Sequence, residues 1–165
     1  MNKQFDYDPK VMQFCHTLAE LDPGELARFK RNAGQTMAES NRVLGLFFRT
    51  LPNGVPRYQE EIYFLLATLY PLADGGGEGN LGYALRQARE PRGIEGGDPG
   101  LDRRLAVLLD ANWDQLRFKL RQLVRYLYGK RVAINWPQLL QDLLAWDHPK
   151  RYVQENWARA YYAGS

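Results

Sequence analysis

Seven leucines recur at helical spacing between residues 101 and 127: Leu101, Leu105 and Leu108, then Leu116, Leu120, Leu123 and Leu127. Steps of three and four residues put an apolar stripe on each of two successive helices, and each stripe needs a partner to bury it. Similar steps recur along the chain, few β-branched residues occur, and no segment alternates as a half-buried strand does. The sequence is therefore expected to be all-α, with about eight helices in two packed bundles.

The starts of those helices are written locally. Asp8-Pro9 supplies an N-cap followed by proline in the first turn. Asp22-Pro23-Gly24-Glu25, Thr36 with Glu39, and Asn112 with Gln115 fit the capping box, in which cap and third residue satisfy each other's backbone N–H groups. Asp98-Pro99-Gly100 repeats the earlier Asp-Pro-Gly, Asn135-Trp136-Pro137 opens another helix, and Asp147-His148-Pro149 reads as a further cap with proline in the first turn. Between them, Met37 to Thr50 reads as one helix, Arg57 to Tyr70 as a buried central one, and Tyr83 to Glu90 as a short piece. Gly34 and Gly129 suit helix ends. Residues 74–100 hold nine of the fifteen glycines. Their first cluster lacks the Gly-Lys-Ser/Thr ending of a phosphate-binding loop and follows a helix, so a flexible, exposed connection is expected. The second, within 91–100, is the natural seam between an N-terminal half, 1–95, and a C-terminal half, 96–165.

Charge is distributed unevenly across that seam. The whole chain carries +3, but residues 1–100 hold 11 basic and 13 acidic groups, while 101–165 hold 11 basic and 6 acidic. A basic half suggests an anionic partner, with nucleic acid the commonest, against the plainer reading of a solvated face. A single cysteine excludes an internal disulfide, and no apolar run reaches the roughly 20 residues of a membrane span. Met1 to Asp6 carry no apolar signal region, so a cytoplasmic location is expected.

The basic residues fall in blocks. Arg28, Lys30 and Arg31 sit on a short helix with no acid facing them after Glu25; Arg86 lies on the short piece between the glycine clusters. Arg103 and Arg104 point away from the leucine stripe of their helix. Arg117, Arg121 and Arg125 stand at successive four-residue steps beside the next stripe, their stems roughly 6 Å apart along the axis, a workable spacing for the phosphates of an extended strand. Lys150 and Arg151 are weaker candidates near the C-terminus. Pairing of the row with acids from a neighbouring helix is the competing reading.

Catalysis has no comparable footing. Cys15 and His16 are adjacent on a helix, with Cys15 expected in the core and His16 in water. The two histidines are 132 positions apart, Glu60-Glu61 and Asp142 read as exposed helix positions without partners at metal-ligand spacing, and no Gly-x-Ser-x-Gly motif occurs. A binding or assembly protein without metal or cofactor is expected. Its two forms are a nucleic-acid binder and a helical module whose basic face docks acidic protein.

Longer stretches sharpen this. Leu120-Arg121-Gln122-Leu123-Val124-Arg125, Ile134-Asn135-Trp136, the run Leu139 to Pro149, and Val153-Gln154 with Trp157-Ala158-Arg159 resemble the CasB family, the small subunit of the type I-E CRISPR complex Cascade. Gly24 to Arg31, Tyr63 to Tyr70 and Gly79-Asn80-Leu81-Gly82 ahead of Leu85-Arg86 agree in the same order. The resemblance implies an all-helical, non-enzymatic protein, present in two copies, that holds the displaced DNA strand and supports the target strand as guide RNA pairs with it. Its partners would be the large and backbone subunits, the guide RNA and both DNA strands. The grip would come from Arg28, Lys30, Arg31, Arg86, Arg103, Arg104, Arg117, Arg121 and Arg125, with Lys150 and Arg151 less central; Trp136 and Trp146 look structural.

Overall fold

A computed structural model describes residues 6–89 and 97–163. Nine α-helices occur among them, with short 3₁₀ turns and no strand: α1 Pro9–Ala19, α2 Pro23–Lys30, α3 Leu44–Thr50, α4 Glu60–Leu69, α5 Leu81–Ala88, α6 Pro99–Leu109, α7 Trp113–Gly129, α8 Trp136–Leu144 and α9 Tyr152–Tyr162. Five starts use the expected caps. Asp8, Asp22, Asp98, Asn112 and Asn135 each accept a backbone N–H of the following turn, and reciprocal capping boxes form at Asp22/Glu25 and Asn112/Gln115. Gly34 takes the left-handed conformation, with φ +79°.

α4 is the centre. Every residue from Tyr63 to Leu69 is buried, and α2, α7 and α8 pack around the helix. Phe14 and Phe47 pack edge-on against Tyr63 and Phe64, at 5.0 and 5.2 Å between ring centroids. Cys15 joins this core, and burial pushes its thiol up to about 12. α5 and α9 make the most extensive helix pair; Gly82 lies so close to the Trp157 carbonyl that a Cβ there would overlap it. Helices from both sides of the 91–100 segment thus share one core; residues 90–96, which hold most of that segment, lie outside the described residues.

Three expectations are corrected. The helix read over Met37–Thr50 breaks at Ser40, whose buried hydroxyl bonds the Gln35 side chain; 3₁₀ turns occupy Met37–Glu39 and Asn41–Val43 before α3 begins. Asp147 does not cap the last helix. His148 Nδ1 accepts from the Lys150 N–H, Arg151 turns left-handed at φ 52°, and α9 starts at Tyr152. Gly129 closes α7 as expected, in helical geometry, and Arg131 takes the left-handed turn after it. The glycine-rich connection is pinned as well as partly exposed: Gly77 N–H donates to the Ile134 carbonyl, Ile134 N–H to that of Asp74, and a Cβ at Gly77 would strike the Ala133 carbonyl.

Candidate nucleic-acid interface

The end of α2 and the flank of α7 bring two of the basic blocks together. Gly34, in the turn that closes α2, lies against α7, where a Cβ added to it would come within 3.3 Å of the Arg121 stem. Lys30 and Arg31 at the α2 end are exposed; on α7, Arg121 is half-buried and Arg125 exposed. Lys30 and Arg125 line one cleft of about 420 Å³ with Pro71, Leu72, Asp74 and Tyr128. Arg28 and Arg31 line a neighbouring one of about 430 Å³ with Asn32, Glu39, Ser40 and Arg42. Neither Lys30 nor Arg125 is ion-paired among the described residues, so their charge is available to an anion from solvent.

Arg117 leaves the row. Only 8% exposed, it donates from Nη1 to the Gly34 carbonyl at 2.7 Å and from Nη2 to Asp114 at 3.4 Å, with Glu39 3.8 Å away. Its charge is spent on the α2–α7 joint. One turn further on, Arg121 has rotated enough to reach the surface. Arg151 is likewise internal in its bonding: its guanidinium donates to the carbonyls of Trp146 and Leu109, tying the α8–α9 turn to the end of α6. Lys150 beside it is exposed.

Arg103 and Arg104 do not join the row either. They line a separate groove with Val107, Lys119, Gln122 and Leu123. At about 100° per residue, Lys119 and Gln122 face a different side of α7 from Arg121 and Arg125. Arg104 also stacks over the Tyr126 ring at 4.9 Å. Arg86 is half-buried on α5, the helix packed against α9. The basic residues therefore form a track at the α2–α7 joint and a second patch between α6 and α7.

Residues that the sequence concealed are Arg42, Lys119 and Tyr128. Arg42 carries no signal, because the break at Ser40 turns it toward Arg28 and Arg31. Lys119 and Tyr128 had one: both lie off the leucine stripe of α7, and Tyr128 follows Arg125 by three residues, on the same face.

The acids correct another expectation. Asp142 is 9% exposed, not a surface group; it accepts from Trp157 Nε1 at 2.8 Å and Gln138 Nε2 at 2.9 Å. Burial raises its pKa to about 6, against the downward pull of those two bonds. Glu61 is half-buried and accepts from the Met37 N–H. Glu39 is held below the usual carboxylate range by bonds from the backbone and hydroxyl of Thr36, with Arg117 adding to them. His16 sits 3.1 Å from Glu20 on the surface, and His148 serves its turn. No group of three or more His, Cys, Asp or Glu side chains suited to a metal occurs among the described residues, nor does any helix long and apolar enough to cross a membrane.

Solved proteins share this arrangement of helices. The crystal structure of CasB from Thermus thermophilus matches with a TM-score of 0.76 at 29% identity, over 92% of this chain and 97% of that one. That of M. ruber CasB gives 0.75 at 30% identity, over 93% and 92% of the two chains. A chain in a structure of a CRISPR RNA-guided surveillance complex shares the fold with a TM-score of 0.71 at 23% identity, covering 92% of each. The fold defines a small, all-helical CRISPR-associated protein of the CasB type. The sequence agrees: the family model described as CRISPR-associated protein Cse2 matches residues 25–162, and a Cse2 protein of Thermus thermophilus is 35% identical over 137 residues, 82% of this chain and 77% of that one. The chain belongs to the Cse2 (CasB) family.

Proposed function

We propose that this chain is the non-catalytic small subunit of a Cascade-type CRISPR complex in the cytoplasm, where it grips nucleic acid by its phosphates and stabilises the R-loop. The observation that carries this is the meeting of Lys30 and Arg125 in one cleft, next to the Gly34 joint where Arg121 packs, which brings together cations about 90 positions apart. Exchange of a DNA duplex for a guide–target hybrid is nearly balanced in free energy, so a few phosphate contacts tip it. Such contacts position a strand without reading its sequence, a task left to the guide. Its partners are then the large and backbone subunits, the guide RNA, the target and displaced strands, and a second copy of itself.

The test is R-loop formation on a supercoiled target by the reconstituted complex, carrying either the native chain or the combined Arg31→Ala, Arg121→Ala and Arg125→Ala variant. The variant is expected to lower R-loop yield at least tenfold while entering the complex normally, and the defect should deepen with salt. Undiminished R-loop formation would sink the reading.

A second reading applies to the α6–α7 groove. Val107 and Leu123 give it an apolar floor between Arg103, Arg104 and Lys119. That mixture suits an acidic, amphipathic segment of a protein partner better than a bare strand. Loss of complex assembly in an Arg103→Glu, Arg104→Glu variant, with oligonucleotide binding by the isolated chain intact, would assign the groove to protein.

A further inference from the structure

The cleft between Lys30 and Arg125 contains a group that phosphate binding does not call for. Tyr128 is 59% exposed, lies three residues after Arg125 on the same face of α7, and lines the cleft with both cations. A cation at the C-terminal end of α2, as Lys30 is, is favoured by the helix dipole alone. A large exposed ring gains nothing from the dipole and loses by its contact with water.

We infer that Tyr128 is a stacking platform for one unpaired base, with Lys30 and Arg125 holding the phosphates on either side of that nucleotide. This rests on the nucleic-acid reading above and names the form of nucleic acid the joint prefers: a single strand. The cleft, at about 420 Å³, has room for a nucleotide, and Pro71 and Leu72 offer apolar lining beside the ring. Asp74, also in the lining, opposes an anion with one negative charge against two positive ones. Single-strand binders combine a cationic groove with aromatic rings, since every base has a face to stack. In a duplex those faces are occupied by neighbouring bases, so Tyr128 has nothing to engage. Tyr128 lines its cleft with two cations that are not ion-paired among the described residues; Phe118, about three turns earlier on α7, neighbours the internally bonded Arg117 instead.

The experiment uses the full chain with three fluorescent probes: a 20-nucleotide oligothymidine, a strand of equal length and charge with abasic sites throughout, and a 20-base-pair duplex. Tyr128→Ala is expected to weaken the oligothymidine about tenfold and leave the abasic strand and the duplex within twofold, while Tyr128→Phe stays near native. A 2-aminopurine placed in the strand should be quenched by native protein and by Tyr128→Phe, and not by Tyr128→Ala. Equal affinity of Tyr128→Ala and native chain for oligothymidine, or an equal loss on the abasic strand, overturns the stacking role and leaves phosphate binding standing. Failure of the native chain to bind any of the three probes overturns both.

Discussion

The Arg117 guanidinium donates to the Gly34 carbonyl at 2.7 Å, joining α7 to the turn after α2 across 83 positions of sequence. Gly34 is itself held, its N–H donating to the hydroxyl of Thr68 on α4. The contact orients the cationic track without belonging to it. Arg117→Ala should therefore lower stability by about 2–3 kcal/mol, the loss of a charged, buried hydrogen bond that leaves a carbonyl unsatisfied. Urea unfolding of native and variant chains measures it; an unchanged midpoint with weakened oligonucleotide binding would return Arg117 to the interface.

Gly82 and Trp157 set a second limit. A methyl group at 82 would occupy the place of the Trp157 carbonyl, so Gly82→Ala forces α5 and α9 apart. Alanine gains roughly 1 kcal/mol of helix propensity, and the overlap costs up to about 3 kcal/mol. A net fall in the thermal midpoint is expected, and a rise would show that the helix pair yields.

Asp142 should make stability depend on pH in the direction opposite to a paired surface carboxylate. Its folded pKa of about 6 stands above the ordinary 3.8, so between those values the folded chain holds a proton that the unfolded chain has lost. Stability relative to Asp142→Asn is then flat below about pH 4, falls between pH 4 and 6, and is flat above, by roughly 3 kcal/mol in all. Urea midpoints of both chains at pH 4, 5, 6 and 7 give the difference directly. A difference independent of pH would place the carboxyl in water.

Salt offers a count of the phosphates held at the joint. Each cation removed from a single-strand contact lowers the slope of log affinity against log salt by about 0.7. Lys30→Ala with Arg125→Ala should reduce it by about 1.4, whereas Lys119→Ala, on the other side of α7, should leave it unchanged. Binding isotherms from 50 to 300 mM salt decide the matter.

The helix starts were legible because a cap is a local device. Asp22 and Glu25 complete theirs within three residues, as do Asn112 and Gln115, whatever the rest of the chain does. The leucine stripes were legible for the same reason: periodicity fixes which face is apolar before any partner is known. The order of matching segments carried the family. Where a helix breaks against expectation, the cause is distant or structural, as at Ser40 and at Arg151, whose guanidinium reaches back to Leu109.

Sequence by itself thus determined the helical class, five of the helix starts and the apolar faces, each set by interactions within one or two turns. Only the tertiary structure decided which charges are free. Arg117 and Arg121 look alike in sequence, one turn apart on the same helix; one is buried against a carbonyl 83 positions away and the other borders the cationic track. Asp142 resembles a surface acid until Trp157 and Gln138 close over it. A charge is available or spent according to the groups that fold against it, and most of those groups come from elsewhere in the chain.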